Sequence, residues 1–431
     1  MTWAWVEVRQ RGAMLCQGAG QALALAASRC VIQLCRARLL RGESSVFVLF
    51  AGLSILPSHL AHAQQTRPNP LAHAAVARVT DSVIGSQSVT WLSTLSAYVL
   101  GGSADTAQFE FAQGFESMRV LRNGRMLFLD GSQAHFVSAT GKLVRTIGRP
   151  GDGPAEYRSL GAACDTAADT VLLFDVTLRR ISVLDAAGTF VRSIDVSRDG
   201  AMDPGSCFDD GRILLATITV GQNKDLELAL RIVDRVGKVI SNLPRLRLGP
   251  ALPPPAARGR LSVFVSHDKI YVAFGRPGEV RELRIDGTVA RTLSFEDLAA
   301  PMKESEWLQL LESALPRNVS AGYLETVRSR FRSLPVPRTW PSFEKVIPDS
   351  RAGLWIELSR VSASQPEEWL HFDRTWRLIR RVRRTAGSPG RLGIVGFDDD
   401  AAFVRGLDPD GFVTVARRKF ETGSADTRPP P

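Results

Sequence analysis

Between residues 120 and 420 the apolar positions fall in short alternating runs, broken at regular intervals by turn formers. The plainest unit reads "FVSATGKLVRTI" (136–147), "VLDAAGTFVRSI" (183–194), "IVDRVGKVISNL" (232–243), "ELRIDGTVARTL" (282–293) and, more weakly, "HFDRTWRLIRRV" (371–382). Each is an apolar run, a D-x-x-G-like turn and a second run of alternating apolar residues, the pattern of a β-hairpin. The turn residues Gly141, Gly188, Gly237 and Gly287 recur at intervals of 47, 49 and 50 residues, and the next equivalent, Trp376, follows only after 89. Ahead of each unit lies another hairpin pattern: "VLRNGRMLFLD" (120–130), "CDTAADTVLLFD" (164–175), "CFDDGRILLAT" (207–217), "FVSHDKIYVAFG" (264–275), "VIPDSRAGLWIELS" (346–359) and "VGFDDDAAFVRG" (395–406). The sixth is followed by one more strand, in "LDPDGFVTVARRKF" (407–420), and then by a polar tail at 421–431. A fixed period of four strands predicts units arranged in a ring, which removes exposed sheet edges by closing on itself. The expected fold is therefore all-β, a six-bladed β-propeller over residues 92–420. Its last blade lacks a fourth strand, and "LSTLSAYVLGG" (92–102), which has no partner of its own, is expected to supply it and close the ring.

The long interval before Trp376 holds "PMKESEWLQLLESALPRNVSAGYLETVRSRFRSLPVP" (301–337), whose apolar residues recur at helical spacing. A helical hairpin is therefore predicted between blades four and five. It presents Trp307, Leu310, Leu311, Tyr323, Leu324, Val327 and Phe331 as an apolar face to bury against one mouth of the channel. Proline-rich "ALPPPAA" (251–257) reads as an exposed connection between blades three and four.

The stretch "IGRPGDGPAEY" (147–157) has the glycines of a phosphate loop but not its context. A phosphate loop needs a following helix whose amides face the anion, and a Gly-Lys-Ser/Thr end; here another strand hairpin follows, so the stretch reads as a crossing between blades. On these residues the chain from about Leu92 to Phe420 resembles the NHL-like and TolB-like six-bladed propeller proteins exported by many bacteria. In these a G-x-x-G-x-G-P-x-E-[FY] signature follows the first blade and D-x-x-G hairpins end the blades. Gly148, Gly151, Gly153, Pro154, Glu156 and Tyr157 match the signature. A late helical insertion is also similar to what that family shows.

Composition changes the picture mainly at the N-terminus. Arg36, Arg38 and Arg41 precede the apolar "VFVLFAGLSIL" (46–56), and Ala61-His62-Ala63 forms an A-x-A site, together a secretory leader over residues 1–63 with cleavage between Ala63 and Gln64. The run is too short to span a bilayer comfortably, so no membrane span is expected after cleavage and the mature chain is placed in the periplasm or outside the cell. Residues 64–91 read as a linker. Removing the leader lowers the formal charge from +10 to +6, and the remaining bases are scattered apart from "RLIRRVRR" (377–384), read as the solvated face of an outer strand. Without an aromatic-interleaved basic stripe, nucleic acid is not an expected partner. Cys164 and Cys207 are the cysteines left. In an oxidising compartment such a pair is compatible with one disulfide, although spacing does not show whether they meet.

Candidate chemistry is sparse. A channel-bound divalent cation would need acids converging from several inner strands; Glu116, Asp165, Asp209 and the turn residue Asn123 lie near such positions but read as turn formers or rim charges. Asp130 and Asp175 end second strands and are expected to brace turns. The histidines His73, His135, His267 and His371 are isolated, with no H-E-x-x-H pair, and no G-x-S-x-G elbow occurs. No catalytic, metal or cofactor-binding residue is therefore assigned and no cofactor is expected. The leading expectation is an exported, non-catalytic binding or scaffolding propeller, monomeric, that recognises a protein, peptide or glycan. The alternative is a metal-dependent hydrolase or lyase of the lactonase kind.

Overall fold

A computed structural model of the chain describes residues 75–102, 110–111, 117–196, 203–220, 225–250, 261–313, 320–332, 336–349, 351–362, 365–384 and 393–421, all within the compact unit Thr66–Pro431. The leader, its cleavage site, the "ALPPPAA" connection and the polar tail beyond Glu421 lie outside the described residues.

The described part of the segment expected as a linker, residues 75–91, carries secondary structure. It carries strand β1 (Ala75–Arg78), the short helix α1 (Asp81–Gly85) and β2 (Val89–Leu92), followed by β3 (Tyr98–Gly101). Thr80 caps α1, its hydroxyl accepting from Val83 N at 3.4 Å. Four-stranded antiparallel groups then follow. These are β4 to β7 (Ser117–Val120, Met126–Asp130, Gln133–Val137, Leu143–Ile147) and β8 to β11 (Leu160–Asp165, Val171–Asp175, Arg180–Leu184, Phe190–Asp195). Next come β12 to β15 (Asp203–Cys207, Ile213–Val220, Asp225–Val233, Val239–Asn242), with β16 (Leu246–Pro250) also pairing β14, and β17 to β20 (Ser262–Ser266, Lys269–Phe274, Glu279–Leu283, Val289–Ser294). After α2 (Glu304–Ser313) and α3 (Ala321–Arg332) come β21 to β24 (Phe343–Pro348, Leu354–Leu358, Glu367–Phe372, Leu378–Arg384). The last group is β25 (Gly393–Phe397), β26 (Ala401–Leu407) and β27 (Val413–Glu421).

The arrangement is mostly β and propeller-like. Hydrogen bonding does not divide it into six separate sheets, however. β2 pairs parallel with β24 through Val89↔Arg381 and antiparallel with β27 through Leu92↔Phe420, which fuses the last two groups into one nine-stranded sheet. β1 adds to the group before them, parallel to β20, and β3 pairs antiparallel with β27, Tyr98↔Arg417 to Gly101↔Thr414. The N-terminal strands thus occupy the outer edges of three successive groups.

Apolar alternation places side chains between neighbouring groups. Leu127 and Phe136 pack with Leu160 and Leu173, Phe174 and Ile181 with Ile213 and Val233, and Leu214 and Leu230 with Ile270 and Val272. Ala273 and Phe295 pack with Phe343 and Leu370, and Trp355 and Trp369 with Phe397 and Val404, Leu92 joining them. Phe403 and Val415 meet Met126 and Phe128 of the first group, with Leu100 between. The first strands lie side by side, β4 against β8, β8 against β12, β12 against β17, β17 against β21, and β25 against β4.

The D-x-x-G turns explain the recurring glycines. In the second group Asp185 Oδ1 accepts from Ala187 N and Thr189 N, and Gly188 takes φ +78°, where a residue with a Cβ is strained. The strand register then shifts by one residue, between Val183 and Leu184, as expected of a type I turn closed by a G1 bulge. Asp373 builds the same turn with Trp376 at φ +68° in the glycine position; Arg291 covers the indole, its guanidinium carbon 4.1 Å from the ring centroid.

Candidate functional site

Because the strands alternate in direction, each group presents one end made of the starts of its first and third strands with the turn between its second and third, and another made of the turns that follow its first and third strands. At the turn end most of the sequence-selected residues are occupied in holding the structure. Asp165 accepts from Arg122 N at 2.7 Å and from Arg119 Nε at 3.4 Å, Asp209 pairs with Arg122, and Asn123 Oδ1 accepts from Arg125 N. His267 sits in a turn 3.9 Å from Asp209. His371 stacks on Trp355 and bonds Asp349 at 2.6 Å. Burial would raise the Asp349 carboxyl, but the bonds from His371 and Gly353 N hold it below the ordinary carboxylate range. Glu116 and His73 lie outside the described residues. Among the described residues no three His, Cys, Asp or Glu side chains are grouped to hold a metal ion.

The strand-start end differs. Asp175 braces the turn after β9, accepting from Arg158 N, Thr177 N and Leu178 N. Asp130 lies 4.0 Å from His135; burial lowers the His135 imidazole against the opposing pull of that carboxylate. The Gly148-to-Tyr157 crossing is tied to itself: Glu156 accepts from Gly153 N at 2.8 Å and from Arg149, Arg158 and Asp152 pair through two bonds of 2.6 Å, and the Tyr157 ring is buried. A Cβ on Gly151 would collide with the Glu156 carboxylate, and one on Gly148 would lie 2.7 Å from the Tyr157 ring. These residues build a turn and leave no cradle for an anion.

The helical hairpin rises from this same end. Its base is a two-stranded stem: Pro301 bridges Thr339, Met302 N donates to Arg338 O and Trp340 N to Ala300 O, while Arg276 Nε reaches Thr339 O. Glu306 caps α2, accepting from Lys303 N, and also takes the Trp340 indole N–H. Trp307, Leu310 and Val327 are buried as their spacing predicts, whereas Leu308 is 42% exposed. The side chains of Leu311 and Phe331 lie outside the described residues. Arg328 and Glu312 clamp the two helices at 2.6 Å.

Where the stem returns to the sheet, β21 carries Glu344 and Lys345, and a charged cluster missing from the sequence-based selection appears. Lys345 is the cross-strand partner of Glu357 on β22. Its ammonium donates to Ile394 O on β25 at 3.1 Å. Glu367, at 1% exposure, is saturated: it accepts from Trp369 Nε1, Ile394 N and Arg384 Nε. Glu357 is different: its carboxyl pairs with Arg360 at the long distance of 3.8 Å, and its side chain is 14% exposed. Burial, reinforced by Glu367 and Glu344 and opposed by Lys345 and Arg360, pushes Glu357 up to about 7. Burial likewise depresses the Lys345 ammonium, with Glu357 and Glu367 opposing. The signal available in sequence was three charges inside otherwise apolar strands, "FEKVIP", "LWIEL" and "EEWLHF".

The basic run at 377–384 is not a free outer face. Arg381 and Arg383 both pair with Glu368, Arg384 pairs with Glu367, and β2 lies beyond β24. Cys164 and Cys207 form a disulfide joining β8 to β12, Cα to Cα 5.9 Å. Among the described residues no helix is long and apolar enough to cross a membrane.

No protein-family model matches the chain, and no curated protein does. Among solved structures it is similar to a protein from Bacteroides fragilis whose description names it an exported protein, at 13% identity and TM-score 0.48, covering 80% of this chain and 100% of that one. A member of the DUF4221 family from Bacteroides vulgatus matches at 12% identity and TM-score 0.45, with 78% and 100% covered. The calcium-binding protein regucalcin from Agrobacterium tumefaciens matches at 11% identity and TM-score 0.36, with 80% and 97% covered.

Proposed function

We propose that the mature chain is an exported six-bladed β-propeller that binds a protein or peptide, without catalysis, at the mouth from which the helical hairpin rises. The six-blade count is supported by the six apolar cores between successive strand groups, the last of which joins the final group to the first. β2 then acts as a stitch between the fifth and sixth blades. One observation carries the binding reading: the hairpin stands on a hydrogen-bonded stem at the end that also holds the incompletely bonded charges of Lys345 and Glu357. At the opposite end the side chains are taken up by the turns.

A photo-crosslinking residue in place of Leu308, exposed on α2, tests this against the same residue in place of Val144 on the outer strand β7, which is also exposed. Exposed to the exported fraction of the producing cells, the 308 variant is expected to yield a discrete adduct that the 144 variant does not. Equal labelling at both positions, or none at 308, would overturn the assignment of this mouth.

A further inference from the structure

Buried polar groups in folded proteins are almost always hydrogen-bonded, so exceptions call for an explanation. Glu357 and Lys345 are partly rather than fully buried, the Glu357 side chain at 14% exposure, yet they make few bonds. The carboxyl accepts no hydrogen bond among the described residues. The ammonium has three donors and gives one, to Ile394 O. Arg360 closes the third side, its guanidinium 3.8 Å from the Glu357 carboxylate and about one-third exposed. The Ser359 hydroxyl, two residues along the chain from Glu357, is buried with no hydrogen-bond partner among the described residues. The neighbouring Glu367 is fully bonded and therefore a fixed charge, not a binding group.

We propose that Lys345, Glu357 and Arg360 form a binding site for a carboxylate, the cross-strand pair of Lys345 and Glu357 facing it together with Arg360. The inference deepens the peptide-binding reading, since a carboxylate at this mouth would anchor a peptide by its terminus or an acidic side chain. Two cationic side chains and one neutral acid suit a single negative charge with two oxygens. A phosphate or sulfate would fit the cations equally, but the carboxylic acid adds a donor whose bond to a carboxylate is short and charge-assisted.

Proton uptake follows from the groups that face Glu357. Glu344 on β21 and Glu367 on β23 favour its neutral form, while Lys345 on β21 and Arg360 beyond β22 favour the anion. Across the seam Arg405 on β26 acts on Lys345, and Arg384 on β24 is held by Glu367. Burial decides the balance toward the neutral acid up to about pH 7. A second carboxylate therefore meets no charge on Glu357 below that pH and an anion there above it.

Saturation-transfer NMR on the mature protein, with sodium acetate as the probe at constant ionic strength, reads this directly. Acetate is expected to bind saturably at pH 6 and about 30-fold more weakly at pH 8.5, the loss that uptake of one proton with a pKa near 7 imposes. Lys345→Met should abolish binding, whereas Glu357→Gln should keep it and flatten the pH dependence. No saturable binding at pH 6, equal binding of sulfate, or an unchanged pH dependence in Glu357→Gln would each overturn the site. Acetyl-diglycine as the free acid and as the amide separates the sources. An acid that binds more tightly than acetate, with a silent amide, supports a peptide terminus. An acid no tighter than acetate leaves the carboxylate site standing and overturns the peptide reading alone.

Discussion

The Cys164–Cys207 disulfide is expected to contribute about 4 kcal/mol to stability. The two cysteines are 43 residues apart in sequence, and closing a loop of that length in the unfolded chain removes about 13 cal/mol/K of entropy by the chain-entropy relation. For a folded unit of this size the loss corresponds to roughly 5 °C in Tm. Both sulfurs lie in the core shared by the second and third groups, so the native state holds the strands together with or without the bond and the effect acts on the unfolded chain. The assay is calorimetric melting of the chain from Gln64 onward against its Cys164→Ala/Cys207→Ala variant, with a thiol count in guanidinium beforehand. No thiol should titrate before reduction and two should after it. Because both sulfurs are buried, dithiothreitol should leave the native protein oxidised until it is warmed toward its transition. Two thiols titrating in the purified protein without reductant would refute the bond, and a double variant melting at the wild-type temperature would refute the magnitude.

A chain beginning at Gly114 lacks β1 to β3, uncovers the edges of β20, β24 and β27 and removes Leu92 and Leu100 from two cores; it is expected to lose cooperative melting in a calorimeter. Gly148→Ala should cost at least about 2 kcal/mol in urea unfolding, because φ is +90° and the added Cβ strikes Tyr157. Gly124→Ala, at φ +76° in open space, should cost only about 1 kcal/mol. The folded-state pKa of Glu357 is raised from 4.5 to about 7, so the neutral acid is favoured on folding. Its contribution is fully present below pH 4.5 and is lost as pH rises to about 7, a change of about 3 kcal/mol. Glu357→Gln should therefore melt like wild type at pH 4 and above it at pH 8.

The hairpin pattern was legible because each strand faces two neighbours and each turn needs an acid and a left-handed residue, so Asp185 with Gly188 repeats in recognisable form as Asp234 with Gly237. Even Trp376 is found by phase, although its side chain contradicts the turn's preference. The strand β3 was legible by subtraction, since the last group lacked one. β1 and β2 were not, because a strand added parallel to an outer edge carries no hairpin partner to reveal it, and "AVAR" and "VTWL" have too few residues for alternation to speak. The Lys345–Glu357 cluster escaped for a different reason. Its members come together through cross-strand register and the approach of Ile394 from the next group, neither of which spacing along one chain encodes.

The excess of arginine, which suggests an anionic partner when read as charge, is spent on the fold's own carboxylates and, at the turn end, also on its carbonyl groups. At the turn end Arg125 donates to Ala186 O at 2.6 Å, Arg192 to Arg235 O at 2.5 Å, Arg235 to Asp210 O at 2.6 Å and Arg291 to Arg374 O at 2.7 Å. The first, second and fourth of these run from one strand group to a turn of the next, and a neutral carbonyl takes up no countercharge, so such contacts leave the net charge positive. Lysine could replace the charge but not the reach and direction of the Arg192 terminal nitrogen toward Arg235 O. Arg192→Lys is therefore expected to lower stability with no change in net charge, whereas a role in attracting an anionic polymer would tolerate lysine and fail only with a neutral residue. Comparing the melting temperatures of Arg192→Lys and Arg192→Gln separates the two: similar losses locate the function of this arginine in the seam between groups, and a wild-type melt for the lysine variant would refute that placement.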